Sequence, residues 1–232
     1  MENFNLDREI ARLILLQRIE LLTPTQKRLR KLFGRYFFTN FFSKYFVNIK
    51  KIGKIYFNEM VTEYKLLSNF LDFKKKNILS IGSGMCGLEL IINSKNPETS
   101  FSIIEKNYIS KKIIYGWSQK NTEAYNNMGK LNLFLKSNGM SQDKYVLYDF
   151  DNNDFPINRF DYIISLYSLD YHYDFNLYKD YLKKILDHNS ILVFDTIRPD
   201  YFSKLFKNIE IIKSDDKKIH SSKRILCKGL NF

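Results

Sequence analysis

Cysteine, histidine, glycine and proline are all scarce in this sequence, and each shortage narrows what the chain can be. The two cysteines, Cys86 and Cys227, lie far apart and match no metal-ligand spacing, so a reduced, cytoplasmic protein is the simplest interpretation. Three histidines, with no cysteine cluster or carboxylate array beside them, predict no metal site. Nine glycines and four prolines in 232 residues favour long regular elements with few linkers.

Long apolar runs are also missing. No stretch of about 18 or more apolar residues occurs, so the sequence predicts no membrane-spanning helix. Residues 13–16 are apolar, but Arg12, Gln17 and Arg18 interrupt the stretch, and no secretory signal is recognisable. With 44% hydrophobic and 27% charged residues the chain is expected to fold. Its length suits one α/β domain of about 150 residues with a helical extension.

Acidic residues are few in the first third of the chain. Residues 1–76 hold 16 Lys/Arg and 7 Asp/Glu, a net charge of +9, whereas the remainder holds 21 and 18, a net charge of +3, which together give the formal +12. Such an imbalance is typical of contact with an anionic partner: nucleic acid, an acidic glycan or a membrane surface. The alternative that we favour is genomic composition, because the chain is rich in the amino acids that AT-rich codons encode.

Helical patterns fill this basic third. Leucine and isoleucine recur at helical spacing over residues 5–22. Thr23, Pro24 and Gln26 then form a capping box that predicts the start of a second, basic helix. An amphipathic helix is predicted over residues 55–72.

The stretch from residue 33 to residue 46 holds eight phenylalanine and tyrosine side chains. We predict a helix there that packs against the rest of the chain or lines a substrate entrance, because an aromatic stripe at helical spacing is usually part of a core. The flanking lysines leave a second interpretation open, an interfacial helix on a membrane.

From residue 74 the pattern changes to alternating strands and helices. Strands are predicted at residues 77–81, 101–105, 145–149, 160–166, 190–195, 209–213 and 224–228, and helices at 86–95, 118–138 and 177–186, with a short helix from Pro199. This alternation predicts an α/β, doubly wound, Rossmann-like sheet that is mostly parallel, and the short polar turn near residue 215 predicts an antiparallel last pair. We therefore divide the chain into a helical N-terminal extension, residues 1–73, and a Rossmann-like domain, residues 74–232.

A glycine turn joins the first of these strands to its helix, in the sequence IGSGMCG. Gly82, Gly84 and Gly87 allow a sharp backbone turn and close approach of a ligand to helix N–H groups. Glu105 ends the next strand, 18 residues after Gly87, where a carboxylate can accept hydrogen bonds from both ribose hydroxyls of an adenosine-containing cofactor. The alternative for Glu105 is a solvated charge at a strand end.

The glycine turn and its acid fit either NAD or S-adenosylmethionine. Three features favour the second. The chain leaves little room for a separate dehydrogenase substrate domain, its last strands are predicted to be antiparallel, and an acidic loop, Asp149 to Asp151, follows the third strand.

Over residues 74–228 the sequence resembles the class I S-adenosylmethionine-dependent methyltransferases. The motifs that carry the resemblance are ILSIGSGMCG, FSIIEKN, YDFDNNDF and FDYIISLYSLDYHY. Within the family it looks closest to uncharacterised bacterial methyltransferase-domain proteins, some of which are thought to modify sugars or glycans. Two positions depart from the family pattern: Ser80 stands where an acid is common, and Cys86 where a glycine is often found.

The resemblance implies a set of cofactor residues. Gly82, Ser83, Gly84 and Gly87 would shape the pocket for the methionine and ribose, and Glu105 would bind the ribose. Asp149 or Asp151 would face the adenine amino group, with Phe150 beside the ring. Ser80 weakens the expected contact to the amino-acid end of the cofactor.

The candidate acceptor residues follow the fourth predicted strand. Histidine as a residue type titrates near neutral pH, so His172 is the candidate general base for a hydroxyl acceptor. Asp170 would orient His172 or contact substrate, and Tyr171 and Tyr173 would enclose the acceptor. Arg198, after the fifth strand, would bind an anionic acceptor group or form a structural salt bridge.

The leading hypothesis is an enzyme that O-methylates a sugar, a glycan or another small hydroxyl compound. An RNA methyltransferase that uses the basic N-terminal segment is the first alternative, although no RNA-binding module is recognisable. Ser80 and Cys86 motivate another, a non-catalytic methyltransferase-like domain that binds a partner. The last alternative is an NAD-linked reductase.

Overall fold

A computed structural model describes residues 2–111, 123–152, 155–215 and 221–231. The eight α-helices of these residues are α1 Arg8–Gln17, α2 Pro24–Leu32, α3 Arg35–Tyr45, α4 Ile49–Ser68, α5 Gly87–Lys95, α6 Met128–Ser137, α7 Asn176–Ile185 and α8 Pro199–Phe202. The seven strands are β1 Asn77–Ile81, β2 Ser100–Glu105, β3 Tyr145–Asp149, β4 Tyr162–Ser165, β5 Ile191–Thr196, β6 Phe206–Asp215 and β7 Ser222–Leu230.

All seven strands form one sheet in the order β3-β2-β1-β4-β5-β7-β6. The first five strands are parallel, and β7 lies antiparallel between β5 and β6. The predicted Rossmann-like sheet with an antiparallel last pair is therefore confirmed, including the bounds of β1 and β3. The order reverses beside β1, so the carboxyl ends of β1, β2 and β4 meet at one edge, where ligands bind in open α/β sheets.

The sheet separates two buried apolar clusters. Neighbouring residues of a strand point to opposite faces, and accordingly Ile78 of β1 belongs to one cluster and Leu79 to the other. The first cluster joins the sheet to α5, α6 and the buried side chains of α1 and α4, whereas the second lies under α7 and α8. The N-terminal helices thus share a core with the sheet, and the division of the chain at residue 73 stays a prediction.

The structure confirms the predicted start of the second helix and corrects the predicted end of the first. The capping box is present: Thr23 accepts a hydrogen bond from the amide of Gln26, whose side chain accepts one from the amide of Thr23. The first helix is shorter than predicted, because α1 ends at Gln17 and a 3-10 turn, Ile19–Leu21, follows it.

The helix predicted over residues 118–138 begins only at Met128 among the described residues, and residues 112–122 lie outside them. Asn127 is the N-cap and accepts a hydrogen bond from the amide of Lys130. Tyr125 pairs with Ile109 in an isolated β-bridge instead of lying on a helix.

Helix α3 packs against α1 and α2 as predicted, but most of its aromatic side chains take no part in that packing. Its buried side chains are polar: Thr39 and Ser43 are fully buried, and the Thr39 hydroxyl accepts a hydrogen bond from buried Arg30 of α2 at 3.0 Å. The aromatic side chains of and around α3 that are exposed are Phe33, Phe37, Phe41, Tyr45 and Phe46. Phe42 packs against the core, and for the exposed side chains the prediction was wrong because helical spacing defines an apolar stripe without deciding which side of the helix meets the protein.

None of the helices in the described parts of the chain combines the length and the apolar character needed to cross a membrane.

Candidate functional site

The glycine turn lies at the carboxyl end of β1, at the edge where the order of the sheet reverses. Gly82 and Gly84 have φ angles of +63° and +65°, which favour glycine. A Cβ atom on Gly82 would overlap the hydroxyl of Ser168, which lies in the loop after β4. Glycine is therefore required at Gly82 for the turn and for its contact with the loop that carries His172.

Glu105 ends β2 and faces this turn. Its carboxylate accepts a hydrogen bond from the amide of Gly84, and the side chain is only 7% exposed. Burial raises the pKa of Glu105 to about 7, and the hydrogen bonds from Gly84 and Asn126 oppose that rise only in part. Hydrogen bonds from further hydroxyl groups would stabilise the ionised form of a carboxylate buried in this way.

Asn126 completes the wall of the turn, although the sequence predicted it to lie within the helix at residues 118–138. Its side-chain amide donates to the carbonyl of Gly84 at 3.0 Å and also contacts Glu105. The pair of asparagines before Met128 could have revealed this loop, because asparagine is favoured at helix N-caps and in turns.

Side chains of the N-terminal helices cover the glycine turn. Gln17 of α1 donates to the carbonyl of Tyr125 at 2.8 Å, and its amide oxygen would lie 2.5 Å from a Cβ atom on Gly84. The amide of Gly87 donates to the hydroxyl of Tyr56, on α4, at 3.1 Å. A ligand that reaches the main chain at Gly84 must therefore displace Gln17.

Two groups of opposite charge line a small cavity of about 10 Å³ beside the turn. Arg18 and Glu89 both contribute to its wall, together with Met60, Ser83, Leu88, Ile164 and Leu166. Within the described ranges, one carboxylate oxygen of buried Glu89 and the hydroxyl of buried Ser80 make no hydrogen bond of good geometry, although the two side chains are neighbours and Ser80 lowers the pKa of Glu89. Burial raises the pKa of Glu89. Neither Arg18 nor Glu89 was singled out as a ligand group from the sequence, because such roles depend on contacts between distant segments.

The acidic loop after β3 lies next to Glu105, because Glu105 and Asp149 are register partners in neighbouring strands. Asp149 accepts a hydrogen bond from the amide of Asp151 at 3.1 Å, and exposed Asp151 forms an ion pair with Lys106 at 2.9 Å. Phe150 is half-buried, with its ring centroid 5.5 Å from that of Tyr178. The sheet thus brings together Glu105 and all three of the loop residues predicted for the adenine.

The loop after β4 brings the predicted acceptor residues to the same edge. His172 is exposed, and its ring lies 5.0 Å from that of Tyr171 in an edge-on arrangement. Tyr173 donates from its hydroxyl to the carbonyl of Glu123, and burial raises its pKa. Leu169 and Tyr173 close the loop through an isolated bridge.

Asp170 does not orient His172. Its fully buried carboxylate accepts hydrogen bonds from the hydroxyl of Thr196 at 2.6 Å and from Arg198, which also pairs with Asp174 at 3.2 Å. Two roles were predicted for Arg198, binding an anionic acceptor group or forming a structural salt bridge. Its contacts support the salt bridge. Both residues serve to hold the loop that carries His172 against the end of β5.

A buried ion-pair network fixes α4 over this edge of the sheet. Arg224 of β7 is fully buried and pairs with Asp195 of β5 at 3.0 Å and with Glu63 of α4. Burial opposes the ionisation of Glu63, but Arg224 and Lys213 outweigh it and lower the pKa to about 2. Asp195 also accepts a hydrogen bond from the amide of Tyr167, so the network joins α4 to the loop after β4.

Within the described ranges, no three His, Cys, Asp or Glu side chains group together as a metal site would require.

No protein-family model matches this chain, and no curated protein matches it. The chain is similar in structure to mitomycin 7-O-methyltransferase, with a TM-score of 0.50, 11% identity, and coverage of 78% of this chain and 56% of that one. It is similarly related to an O-methyltransferase candidate from Nostoc punctiforme PCC 73102, with a TM-score of 0.50, 9% identity, and coverage of 77% and 58%. The chain therefore spans a little over half the length of these two proteins. At such identities the likeness is one of fold, that of the class I methyltransferases.

Proposed function

We propose that this chain, which has the class I methyltransferase fold, is an S-adenosylmethionine-dependent methyltransferase that acts on a hydroxyl oxygen of a small acceptor. The observation that carries the proposal is the position of Glu105, a buried carboxylate facing the glycine turn at the reversal of the sheet order. The sequence resembles uncharacterised methyltransferase-domain proteins, some of which are thought to modify sugars or glycans, and this favours a sugar or glycan as acceptor.

The donor set around the glycine turn suits a nucleoside. Glu105 would accept hydrogen bonds from the ribose hydroxyls, and Gly84 would leave space for the sugar because it carries no side chain, while Gly82 gives the turn its contact with Ser168. Asp149 or Asp151 would accept from the adenine amino group, and Phe150 would contact the ring. Gln17 would move away from Gly84 on binding.

The cavity beside the turn suits the amino-acid end of the same cofactor. Arg18 offers a cation for a carboxylate, and Glu89 offers a buried carboxylate oxygen for an ammonium group. Glu89 would thereby supply the acid that Ser80 does not provide, and Ser83 lies on the same wall. The residues present therefore fit a zwitterion, although the cavity must widen to admit it.

The acceptor would lie beside the loop after β4. The sulfonium of the bound cofactor supplies an activated methyl group, so the chain has to hold the acceptor oxygen in line and exclude water. His172 would take the hydroxyl proton as the bond to oxygen forms. Tyr171 and Tyr173 would flank the acceptor, while Asp170 and Arg198 would hold the loop in place.

The covering of Gly84 and Gly87 by Gln17 and Tyr56 favours one second candidate, a non-catalytic domain whose cofactor crevice is permanently closed. In that case the chain would not bind the cofactor at all.

Isothermal titration calorimetry with S-adenosylmethionine distinguishes the two candidates. We expect saturable binding by the wild-type chain, and binding at least as tight by Gln17→Ala, because that variant removes the side chain over Gly84. NAD is expected to give no heat. If neither the wild-type chain nor Gln17→Ala binds at millimolar cofactor, the methyltransferase proposal is wrong and the closed domain is supported.

Affinity for S-adenosylmethionine is expected to rise with pH through about 7, the pKa to which burial raises Glu105. The ionised carboxylate accepts two hydroxyl hydrogen bonds, so binding below this pH releases a proton, and linkage predicts roughly tenfold weaker binding at about pH 6 than at about pH 8. Calorimetry across this range measures the change. Glu105→Gln should give a flat profile, and an equally flat wild-type profile would place the carboxylate outside the binding site.

A further inference from the structure

Helix α3 and the end of α2 present a continuous apolar surface, which we call the aromatic ridge. It consists of Leu29, Leu32, Phe33, Phe37, Phe41, Tyr45 and Phe46. Leu32 is 76% exposed and Phe37 is 68% exposed. Ring centroids of Phe37 and Phe41 lie 6.2 Å apart, and those of Phe41 and Phe46 lie 5.8 Å apart, so these three rings form one patch, to which the exposed side chains of Leu29, Leu32 and Phe33 are near in sequence. Contiguous patches of this kind mark interaction sites.

The orientation of α3 is held from its buried side. Thr39 and Ser43 are fully buried, the Thr39 hydroxyl accepts from Arg30, and the Ser43 hydroxyl donates to the carbonyl of Thr39 at 2.6 Å. These polar contacts lie on the inner face of the helix, where half-buried Phe42 also packs against the core. A rotation of α3 that buried the ridge would break these hydrogen bonds. The packing of α3 therefore holds the ridge on the outer surface.

Positive charge lies beside the ridge on α2 and α3. Between residues 21 and 58 the sequence has nine Lys/Arg and no Asp/Glu. Arg28, Lys31 and Lys44 are exposed, and the ammonium of Lys44 lies 5.4 Å from the ring centroid of Tyr45. The surface is therefore apolar at its centre and cationic at its margin.

This combination favours one occupant over two others. A second copy of the chain would bring equal positive charges together, which opposes a symmetric interface. Single-stranded nucleic acid would need free ring faces for its bases, whereas Phe37 and Phe41 stack on each other at 8°. Aliphatic Leu32, the most exposed ridge residue, suits acyl chains, and lysine and arginine at the margin suit anionic headgroups.

We propose that the aromatic ridge docks the protein onto the surface of an anionic lipid membrane. The apolar side chains enter the boundary between headgroups and acyl chains, and the basic side chains bind headgroup phosphates. The helix lies on the membrane and does not span it. Because this surface is built from α2 and α3, docking does not depend on the cofactor site or on the proposed methyl transfer.

Vesicle co-sedimentation of the full chain tests this. The vesicles are phosphatidylcholine alone, and phosphatidylcholine with roughly 30% phosphatidylglycerol as the anionic lipid. We expect binding to the anionic vesicles that weakens with salt, and little binding to phosphatidylcholine alone. Phe37→Ser/Phe41→Ser should reduce the partition coefficient at least about tenfold, because each serine removes an inserted ring.

The matched control is Ile157→Ser/Leu177→Ser, which removes two exposed apolar side chains elsewhere, one of them 79% exposed. It should bind within about twofold of the wild type, since scattered exposed residues do not form a patch. If the serine pair in α3 unfolds the chain, as circular dichroism would show, Arg28→Gln/Lys31→Gln tests the cationic margin instead and should lose the salt-dependent part of binding.

Three results would overturn the proposal. The first is absence of wild-type binding to the anionic vesicles, and the second is unchanged binding by both the ridge and the margin variants. The third is a dimer or an RNA complex that forms in place of vesicle binding and is lost in Phe37→Ser/Phe41→Ser.

Discussion

Replacing Arg224 with methionine is expected to lower the free energy of unfolding by about 3–5 kcal/mol, because it removes the cation that pairs with buried Asp195 and leaves buried Glu63 with Lys213 alone. Arg224 is fully buried between Asp195 and Glu63. Methionine keeps much of the aliphatic volume, so the loss reports the missing charge and hydrogen bonds more than a cavity. Chemical denaturation monitored by circular dichroism measures the effect.

Lys228→Met is the matched control for this variant. Lys228 lies on the same strand but is exposed, and its replacement should change the stability by less than about 0.5 kcal/mol. Equal effects of the two substitutions would show that the network does not stabilise the fold. The pH dependence has a defined sign: the pKa of Glu63 is lowered from 4.5 to about 2, so its stabilising contribution is complete above the unfolded value and is lost as the pH falls through about 2.

Replacing Glu105 with alanine is expected to weaken S-adenosylmethionine binding by roughly 100-fold or more, since two charge-assisted hydrogen bonds to the ribose are lost. Titration calorimetry gives the dissociation constants. Glu98→Ala is the control, because it removes the same charge from an exposed position just before the other end of β2. If both variants bind as tightly as the wild type, Glu105 does not hold the ribose and the proposed site is wrong.

The stability of Glu105→Ala separates a binding role from a structural one. Burial raises the folded-state pKa of Glu105 from 4.5 to about 7, so the wild-type protein loses stability as the pH rises from the unfolded to the folded value and stays lower above it. The alanine variant lacks this cost. Its melting temperature near pH 8 should therefore equal or exceed that of the wild type, while its affinity falls; a large loss of both would indicate a structural residue.

Local patterns in the sequence account for the framework of the site. The glycine turn and Glu105 occupy the predicted ends of β1 and β2, and Asp149 ends β3 at the predicted residue. These positions could be predicted because the strands are short apolar runs. Polar residues and glycines next to each run mark where the strand ends. A parallel sheet then places the carboxyl ends of such strands at a common edge, without further information from the sequence.

The side-chain contacts of the loop after β4 could not be predicted from the sequence. Asp170 lies two residues from His172, and that proximity suggested that the carboxylate would orient the imidazole. In the structure the backbone at Asp170 has a φ of +59°, and its carboxylate meets Arg198 and Thr196, which follow β5. Proximity in sequence does not set the direction of a side chain in a tight loop.

By itself, the sequence determined the succession of strands and helices along the chain, the glycine turn and the position of its acid. Each of these features depends on residues within a few positions of one another. Only the tertiary structure decided that Gln17 and Tyr56 cover the turn, that Arg18 and Glu89 line one cavity, and that α3 turns its rings outward. Those features arise from contacts between segments far apart in the chain. Periodicity specifies that a helix has an apolar side, whereas packing against its neighbours decides where that side points.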